Sequence, residues 1–394
     1  MRILFIASNF PHPNEPTRAV FNLNLARGLA AKHEIKVIAP VPWLNRWAKG
    51  QKSEASEGRD GHRIVEGIDV YHPTFYYSPK LFREYYGWFF WHSIRSTVWR
   101  ILRFYTPDAV IGYWIHPDGD AAVRVAEIVG VPSAILVGGS DLLLLPLHEG
   151  RRRCIKNTLL RADAVLTVSD DLRAKAIEMG IDASKVHPYR QGVDTAYFAP
   201  GDQQQARRKI GVSLDAPMLL WVGRIVPVKA IEILIDACKA LHARGVRFQL
   251  CLVGDGPLRG AMEARVATAG LRDCVLFAGA QPQDKLPDWY RAADLMVLPS
   301  WSEGLPNVLR EAGACGTPFV ASDVGGIPEI AETGRDLLVP AGDVTALADA
   351  LAIGLSRQRP PMSISKSMSW AESADALVDV LRPLVIASQN KDHP

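Results

Sequence analysis

The sequence predicts an α/β protein built from two doubly wound, parallel-sheet domains, and three observations carry that prediction. Short β-branched runs alternate with longer amphipathic ones along the chain, which is the βαβ rhythm of parallel sheets. The chain has 394 residues, whereas one hydrophobic core rarely grows past about 250 to 300. The rhythm breaks once, between Pro188 and Gly211, where Pro200-Gly201 and the polar run Asp202 to Gln205 supply turn and loop chemistry. These observations divide the chain into an N-terminal domain over 1–195, a second domain over 196–368 and a C-terminal helix over 369–394, expected to pack back on the first.

Each element follows from its local pattern. Ile3 to Ala7 is a short apolar run and reads as the first strand, followed by an amphipathic run from Phe21 to Ala31 and a second strand from Ile35 to Ala39. The alternation resumes with Ala109 to Gly112, Asp120 to Val129 and Ala134 to Val137, then a helical run through Arg161 and the strand-like Ala164 to Val168. A helix from Asp170 to Met179 is closed by Gly180, where a left-handed residue ends a helix without steric cost. In the second half the strands are Met218 to Val222, Phe248 to Val253, Val275 to Ala278, Leu295 to Leu298 and Phe319 to Ala321. The helices between them are Ala230 to His242, Leu258 to Ala269, Leu286 to Ala293 and Val308 to Ala314. Sheets of this kind bind ligands in the crevice at the carboxyl ends of their strands, so chemistry is expected just after each strand.

Composition excludes several classes. With 48% hydrophobic and 22% charged residues and a mean hydropathy of +0.02, the chain is neither disordered, collagenous nor a polytopic membrane protein. Cys154, Cys238, Cys251, Cys274 and Cys315 are odd in number and never spaced as C-x-x-C, which argues for a reducing compartment and against a zinc site. The apolar run at the N-terminus is shorter than a signal peptide's apolar core, and no window reaches about 18 uninterrupted apolar residues. The expectation is a cytoplasmic protein with no membrane span.

Charge and aromatic residues are unevenly distributed. The first 200 residues carry a formal charge of +5 and the remainder −2. Fourteen of the 32 aromatic residues lie between Tyr71 and Tyr105, with five basic residues and one acidic. Phe75, Tyr76, Tyr77, Phe82, Tyr85, Tyr86, Trp88, Phe89, Phe90, Trp91 and Trp99 are interleaved with Lys80, Arg83, Arg95, Arg100 and Arg103, and Arg151-Arg152-Arg153 can extend the patch. Rings favour the headgroup level and cations are drawn to anionic lipid, so residues 75–105 read as a peripheral contact with the inner membrane. Packing of the rings in an ordinary core is the alternative. A nucleic-acid platform also combines rings and cations, but it leaves the motifs below unexplained.

Three loops after strands of the second half carry candidate chemistry. Gly223-Arg224-Ile225-Val226-Pro227-Val228-Lys229 offers close backbone approach and two cations five residues apart at the opening of a helix. A forked guanidinium, a point-charge ammonium and helix amides together suit a diphosphate, although one Arg and one Lys are equally compatible with solvated surface charge. Gly254-Asp255-Gly256-Pro257 reads as a loop beneath a nucleotide or as a tight turn; its third glycine, Gly260, comes one residue late for a dinucleotide fingerprint. In Glu303-Gly304-Leu305-Pro306-Asn307-Val308-Leu309-Arg310-Glu311 two carboxylates stand eight residues apart across a helix start. Both can face one polyhydroxylated ligand while the intervening amides meet an anion. A capping loop and a surface Glu is the plainer account.

The Glu303 to Glu311 pair resembles the E-x7-E motif of retaining glycosyltransferase family 4, the group 1 glycosyl transferases, whose members have the GT-B fold of two Rossmann-like domains facing a central cleft. Its companions occur in register: Val222-Gly223-Arg224 with Lys229, Val253 to Pro257, Phe277-Ala278-Gly279, Ala293-Asp294, Pro299-Ser300, Gly316-Thr317-Pro318 and Gly325 to Glu329. In the first half the likeness continues at Gly139-Ser140-Asp141, Ala162 to Ser169 and Gly192-Val193-Asp194, so it covers most of the chain and is similar to bacterial polysaccharide and teichuronic-acid-type enzymes.

The resemblance implies that Arg224 and Lys229 neutralise the donor diphosphate, that Glu303 holds sugar hydroxyls and Glu311 the ribose, and that Gly304, Leu305, Pro306, Asn307 and Val308 complete the phosphate site. Gly223, Gly254, Gly256, Gly279 and Ala19 would line the donor, and Asp141 would belong to the catalytic set. It further implies a retaining hexosyl transfer without metal or other cofactor, from a UDP- or GDP-linked sugar to a lipid-linked or oligosaccharide acceptor bound by the N-terminal domain. Three departures qualify it. Ala19 stands where members commonly have Gly, in Thr17-Arg18-Ala19-Val20, and its methyl would narrow the approach of the diphosphate. Gly138 stands where many members have a His that contacts the transferred sugar, a role that His116 of Tyr113-Trp114-Ile115-His116-Pro117-Asp118 either supplies or does not, a structural role being the alternative. Ala230 and Gln191 replace the usual Gly and Asn. Two other functions stay open on the sequence: a sugar-nucleotide-binding protein without turnover, and a GT-B epimerase or NAD enzyme.

Overall fold

A computed structural model describes residues 1–12, 15–16, 18–44, 61–79, 81–357 and 368–390. The chain divides into two compact units, Met1–Gly192 with Met368–Pro394, and Val193–Ser367.

The first unit is organised by an eight-stranded sheet in the order Val186–Pro188, Ala164–Thr167, Ser133–Val137, Ala109–Tyr113, Arg2–Ile6, Glu34–Ile38, Ile68–Tyr71, Arg63–Val65. All neighbours pair in parallel except the last two, which form an antiparallel edge. Ile3 to Ile6, Val110, Ile111 and Ala134 to Val137 have no exposed surface. Continuous apolar strands are what a parallel sheet covered on both faces requires. The Trp370–Gln389 helix belongs to this unit: a capping box at Ser369 and Glu372 opens it, and it packs on the Val20–Ala30 helix so closely that a Cβ at Gly28 would stand 2.6 Å from the Trp370 carbonyl oxygen. Tyr86–Leu102 forms a 17-residue helix.

The second unit holds six parallel strands, Met218–Val222, Gln249–Val253, Val275–Gly279, Leu295–Leu298, Phe319–Ser322 and Leu337–Val339. Numbered within the unit their spatial order is 3-2-1-4-5-6, the dinucleotide-fold order whose direction reverses between strands 1 and 4. That places the crevice at the ends of Met218–Val222 and Leu295–Leu298.

One reading of the sequence changes here. Asp202 to Gln205, read as loop chemistry, opens the Gln203–Ile210 helix: the Asp202 side chain caps it by accepting from Gln205 N at 2.6 Å, and Gly211 closes it at φ +74°. The helix then docks through Arg207, whose guanidinium is 2.5 Å from Asp294. Asp and Gln serve turns and helix starts alike, and only the following apolar contacts decide between them.

Candidate functional site

In the second unit the loops that leave strands 1 and 4 are joined side by side. Lys229 Nζ donates to Glu303 Oε1 at 2.6 Å, and Trp301 N donates to the Val228 carbonyl at 2.9 Å. The Lys229 and Glu303 side chains retain 23% and 10% of their surface, so this ion pair is largely shielded yet reachable. Arg224 projects from the same loop and is exposed.

The neighbouring loops are packed backbone to backbone. Gly254 adopts φ +141°, and a Cβ there would fall 1.8 Å from the Gly223 carbonyl oxygen; one at Gly256 would fall 2.4 Å from that of Ile225. Ile225 N donates to Asp255 O and Gly254 N to Gly279 O, at 2.9 and 2.8 Å. Gly279 needs its glycine for a different reason, its φ of +70°, since an added Cβ would meet only the Arg259 guanidinium at an ordinary 3.6 Å. Across the crevice, Gly325 at φ +55° lets the loop after strand 5 approach the Glu303 carbonyl, where a Cβ would stand 1.9 Å away, and Gly326 N donates to Gly304 O at 2.9 Å.

Pro306 is the cap of the Asn307–Ala314 helix and makes no side-chain capping bond, so the first amides of that helix look for partners outside it. Glu303 precedes this start and Glu311 lies one turn inside it. Glu311 is ringed by protein but keeps part of its surface open; the Tyr290 hydroxyl donates to its Oε2 at 2.8 Å. Burial outweighs that bond and the nearby Arg310 charge and pushes its carboxyl up to about 7. Tyr290, fully buried on the Leu286–Ala292 helix, was not legible as a site residue, because nothing in its spacing ties it to Glu311. Ala293-Asp294 is structural: Asp294 accepts from Met218 N at 2.6 Å and anchors the start of strand 1.

The structure thus brings together Gly223, Lys229, Gly254, Gly256, Gly279, Glu303, Gly304 and the Pro306–Glu311 segment at one edge of one sheet. Ala19, His116 and Asp141 belong to the other unit. Ala19 sits at φ +46°, ψ +44°, the left-handed start of the Val20–Ala30 helix. Ala230 has nearly the same conformation, φ +47° and ψ +44°, at the start of Ile231–Ala243. Both alanines therefore occupy positions that glycine fits without strain. Thr17 lies outside the described residues.

Asp141 is fully buried and accepts from Gly139 N at 2.8 Å and Gly138 N at 3.3 Å, fixing the turn at the end of Ser133–Val137; burial pushes its carboxyl up to about 6. His116 is 7% exposed and lies under Gly87, where an added Cβ would be 2.7 Å from its Nε2. Burial drives its imidazole down to about 4, so it is neutral at physiological pH. Asp118, which sequence reasoning passed over, joins the loops after Arg2–Ile6 and Ala109–Tyr113 by accepting from both Ser8 N and Ser8 Oγ. The space beside Gly138 is filled: a Cβ there would meet Tyr113 Oη at 2.5 Å and Trp114 Nε1 at 3.4 Å. Trp114 itself holds φ +72° and ψ +147°, a region almost confined to glycine that costs a bulky residue on the order of 1–3 kcal/mol.

The aromatic segment divides between core and surface. Phe75, Phe90 and Tyr105 are buried, whereas Tyr76, Phe82, Tyr85, Trp88, Trp99 and Phe104 are exposed. Trp88, Arg95, Trp99 and Arg103 share the outer face of the Tyr86–Leu102 helix and its end, and Trp88 stacks on His92 at 3.9 Å. Arg151 lies 5.4 Å from the Tyr86 ring, and Leu147 nearby in sequence is 78% exposed. Lys80 and the Arg83 side chain lie outside the described residues. No helix among the described residues is long and apolar enough to cross a membrane.

Comparison with known proteins agrees with the fold of both units. Residues 19–192 match the glycosyl transferase 4-like domain and residues 216–356 match the glycosyl transferases group 1 family. A Bacillus subtilis protein named for teichuronic acid biosynthesis, the glycosyltransferase TuaC, is 29% identical over 360 residues, 89% of this chain and 88% of its own length. The D-inositol 3-phosphate glycosyltransferase of Saccharomonospora viridis is 36% identical over 297 residues, 70% of this chain and 68% of its own. Among solved structures, HepE of Anabaena in complex with UDP and glucose superposes with a TM-score of 0.73 at 18% identity, covering 97% of this chain and 99% of that one. With two Rossmann-like units of the kind found in GT-B enzymes, the chain belongs to the glycosyl transferases group 1 family.

Proposed function

We propose that this glycosyltransferase moves a hexosyl unit, with retention, from a UDP- or GDP-linked sugar to a glycan or lipid-linked glycan acceptor in cell-surface polysaccharide assembly. The observation that carries the reading is the meeting of Lys229 and Glu303 at the switch point of the second sheet, in the loop that leads into the helix carrying Glu311. Arg224, Lys229 and the backbone N–H groups of Gly304, Leu305, Asn307 and Val308 supply positive potential for a diphosphate, and its departure leaves charge that the same groups stabilise. On this reading the two cations take the place of a metal. Glu303 then turns from Lys229 to sugar hydroxyls, and Glu311, steadied by Tyr290, accepts from the ribose. Asp141 shapes the Gly138-Gly139 turn. The UDP and glucose bound by Anabaena HepE support the donor class, and the name of TuaC supports the acceptor class.

The exposed rings and cations of residues 75–105 favour action at the cytoplasmic face of a membrane. The test of the function is turnover with a panel of UDP- and GDP-hexoses. Lys229→Ala and Glu311→Ala are each expected to abolish it, and full activity in both would sink the site assignment. Donor hydrolysis without acceptor separates a transferase from a protein that only binds sugar nucleotides, because a pure binder releases no free sugar.

A further inference from the structure

Trp114 combines three properties that an ordinary core residue does not. It closes the strand Ala109–Tyr113 at the carboxyl edge of the first sheet, next to the reversal of strand order beside Arg2–Ile6. Its backbone is in a region natural only to glycine, and both of its backbone groups are tied down: its N–H donates to Leu136 O at 3.2 Å, and its carbonyl accepts from Gly119 N at 2.9 Å. The residue nevertheless keeps part of its surface open, unlike the wholly buried Trp221. Glycine would follow the same chain path without strain, so the path alone does not account for an indole here.

The place of the indole narrows what it does. Its Nε1 lies 3.4 Å from where a Cβ at Gly138 would sit, and Tyr113 Oη lies 2.5 Å from that point. Two aromatic side chains with polar N–H and O–H ends therefore converge on the carboxyl end of the neighbouring strand, and the missing side chain at Gly138 leaves them room. Tyr113 is buried and turned toward Gln191, while Trp114 presents the more open surface. An apolar face with a hydrogen-bond donor at its rim matches a pyranose, which has a C–H face and a hydroxyl edge.

We propose that Trp114 is a specificity residue that contacts a pyranose ring of the substrate, with Gly138 kept free of a side chain to admit the Tyr113-Trp114 pair. The proposal rests on the reading of the chain as a nucleotide-sugar-dependent enzyme. The ring could come from the donor or from the acceptor, and the experiment separates them.

Binding is measured on the full chain with UDP, with UDP- and GDP-hexoses, and with methyl α-D-glucopyranoside in the presence of UDP. Trp114→Gly relieves the backbone and removes the indole; Trp114→Phe keeps a ring. The expected result is that Trp114→Gly keeps the cooperative thermal unfolding of wild type and binds UDP within threefold of it, but loses at least tenfold in affinity for one hexose probe. Trp114→Phe should lose less than Trp114→Gly on that same probe. Loss confined to the nucleotide hexose assigns a donor ring, and loss confined to the glucoside assigns an acceptor ring. Equal hexose affinity in Trp114→Gly and wild type overturns the assignment of Trp114. A wild-type chain that binds none of the nucleotide sugars overturns the functional reading beneath it instead.

Discussion

Lys229 Nζ lies 2.6 Å from Glu303 Oε1, so the cation proposed for the diphosphate and the carboxylate proposed for the sugar hydroxyls are each other's partner. Because the pair is shielded, removing either member leaves a charge without its counterion, which costs more than losing an exposed pair. Lys229→Ala and Glu303→Ala should each destabilise by about 1–3 kcal/mol, and the double variant by less than their sum. Denaturant unfolding of the four proteins checks this; strict additivity would show that the two side chains are not coupled in solution.

Glu311 makes donor binding depend on pH. Its ordinary value of 4.5 is raised to about 7 by burial, so near neutrality much of the unliganded protein carries a protonated carboxyl. Two ribose hydroxyls need two acceptor oxygens, which the ionised form provides. Donor affinity should therefore climb as pH rises through about 7 and level off above it, and Glu311→Gln should flatten the profile. Stability runs the other way. A raised folded-state pKa contributes stability in full below pH 4.5, and that contribution is lost as pH rises through about 7. Titration calorimetry and thermal unfolding from pH 5 to 8 read the two slopes.

Left-handed backbone positions in this chain fall into classes with different consequences. Gly254→Ala adds a strained φ and a collision with the Gly223 carbonyl, and should cost about 3 kcal/mol or more. Gly211→Ala, at φ +74° with nothing within 4 Å, carries only the backbone term of about 1–2 kcal/mol. Ala19→Gly and Ala230→Gly go in the opposite direction. Relief of about 1–2 kcal/mol of left-handed strain exceeds the entropy that glycine adds to the unfolded chain, about 0.4–1 kcal/mol, so each should stabilise slightly. A loss of stability in both alanine variants would contradict the conformations assigned to them.

If the outer face of the Tyr86–Leu102 helix meets anionic lipid, its cations act additively and are screened by salt. Arg95→Gln and Arg103→Gln should each weaken cosedimentation with phosphatidylglycerol vesicles by about fivefold at low ionic strength, following roughly 1 kcal/mol per cation. The difference should vanish near 1 M salt, where the Debye length is about 3 Å. Trp99→Ser and Phe104→Ser, at rings 50% and 90% exposed, should weaken binding without altering thermal unfolding. Wild-type protein that fails to sediment even at low salt would remove the membrane from the account.

The parallel architecture was legible because covered strands must be continuously apolar, as Met218–Val222 and Ala134–Val137 are. The donor-edge loops were legible because charge and glycine spacing travel with the strands that position them. Contacts made across the sheet were not. Nothing near Tyr290 in sequence announces Glu311, and nothing near Gly138 announces the Tyr113 hydroxyl; both relations depend on which strands become neighbours. The Asp202 cap was misread because the same residues start turns and helices. The strand pairs Val41–Pro42 with Thr74–Phe75 and Arg63–Val65 with Ile68–Tyr71 are too short to show a period.

The helix Trp370–Gln389 completes the packing of a unit whose other parts end at Gly192. During synthesis, the face of Val20–Ala30 that receives it is made about 340 residues before its partner. At about 5–20 residues per second that is a delay of roughly 20–70 s. Through that interval the nascent amino-terminal half carries an uncovered seam on its first helix, and a stretch translated far later is the one that seals it.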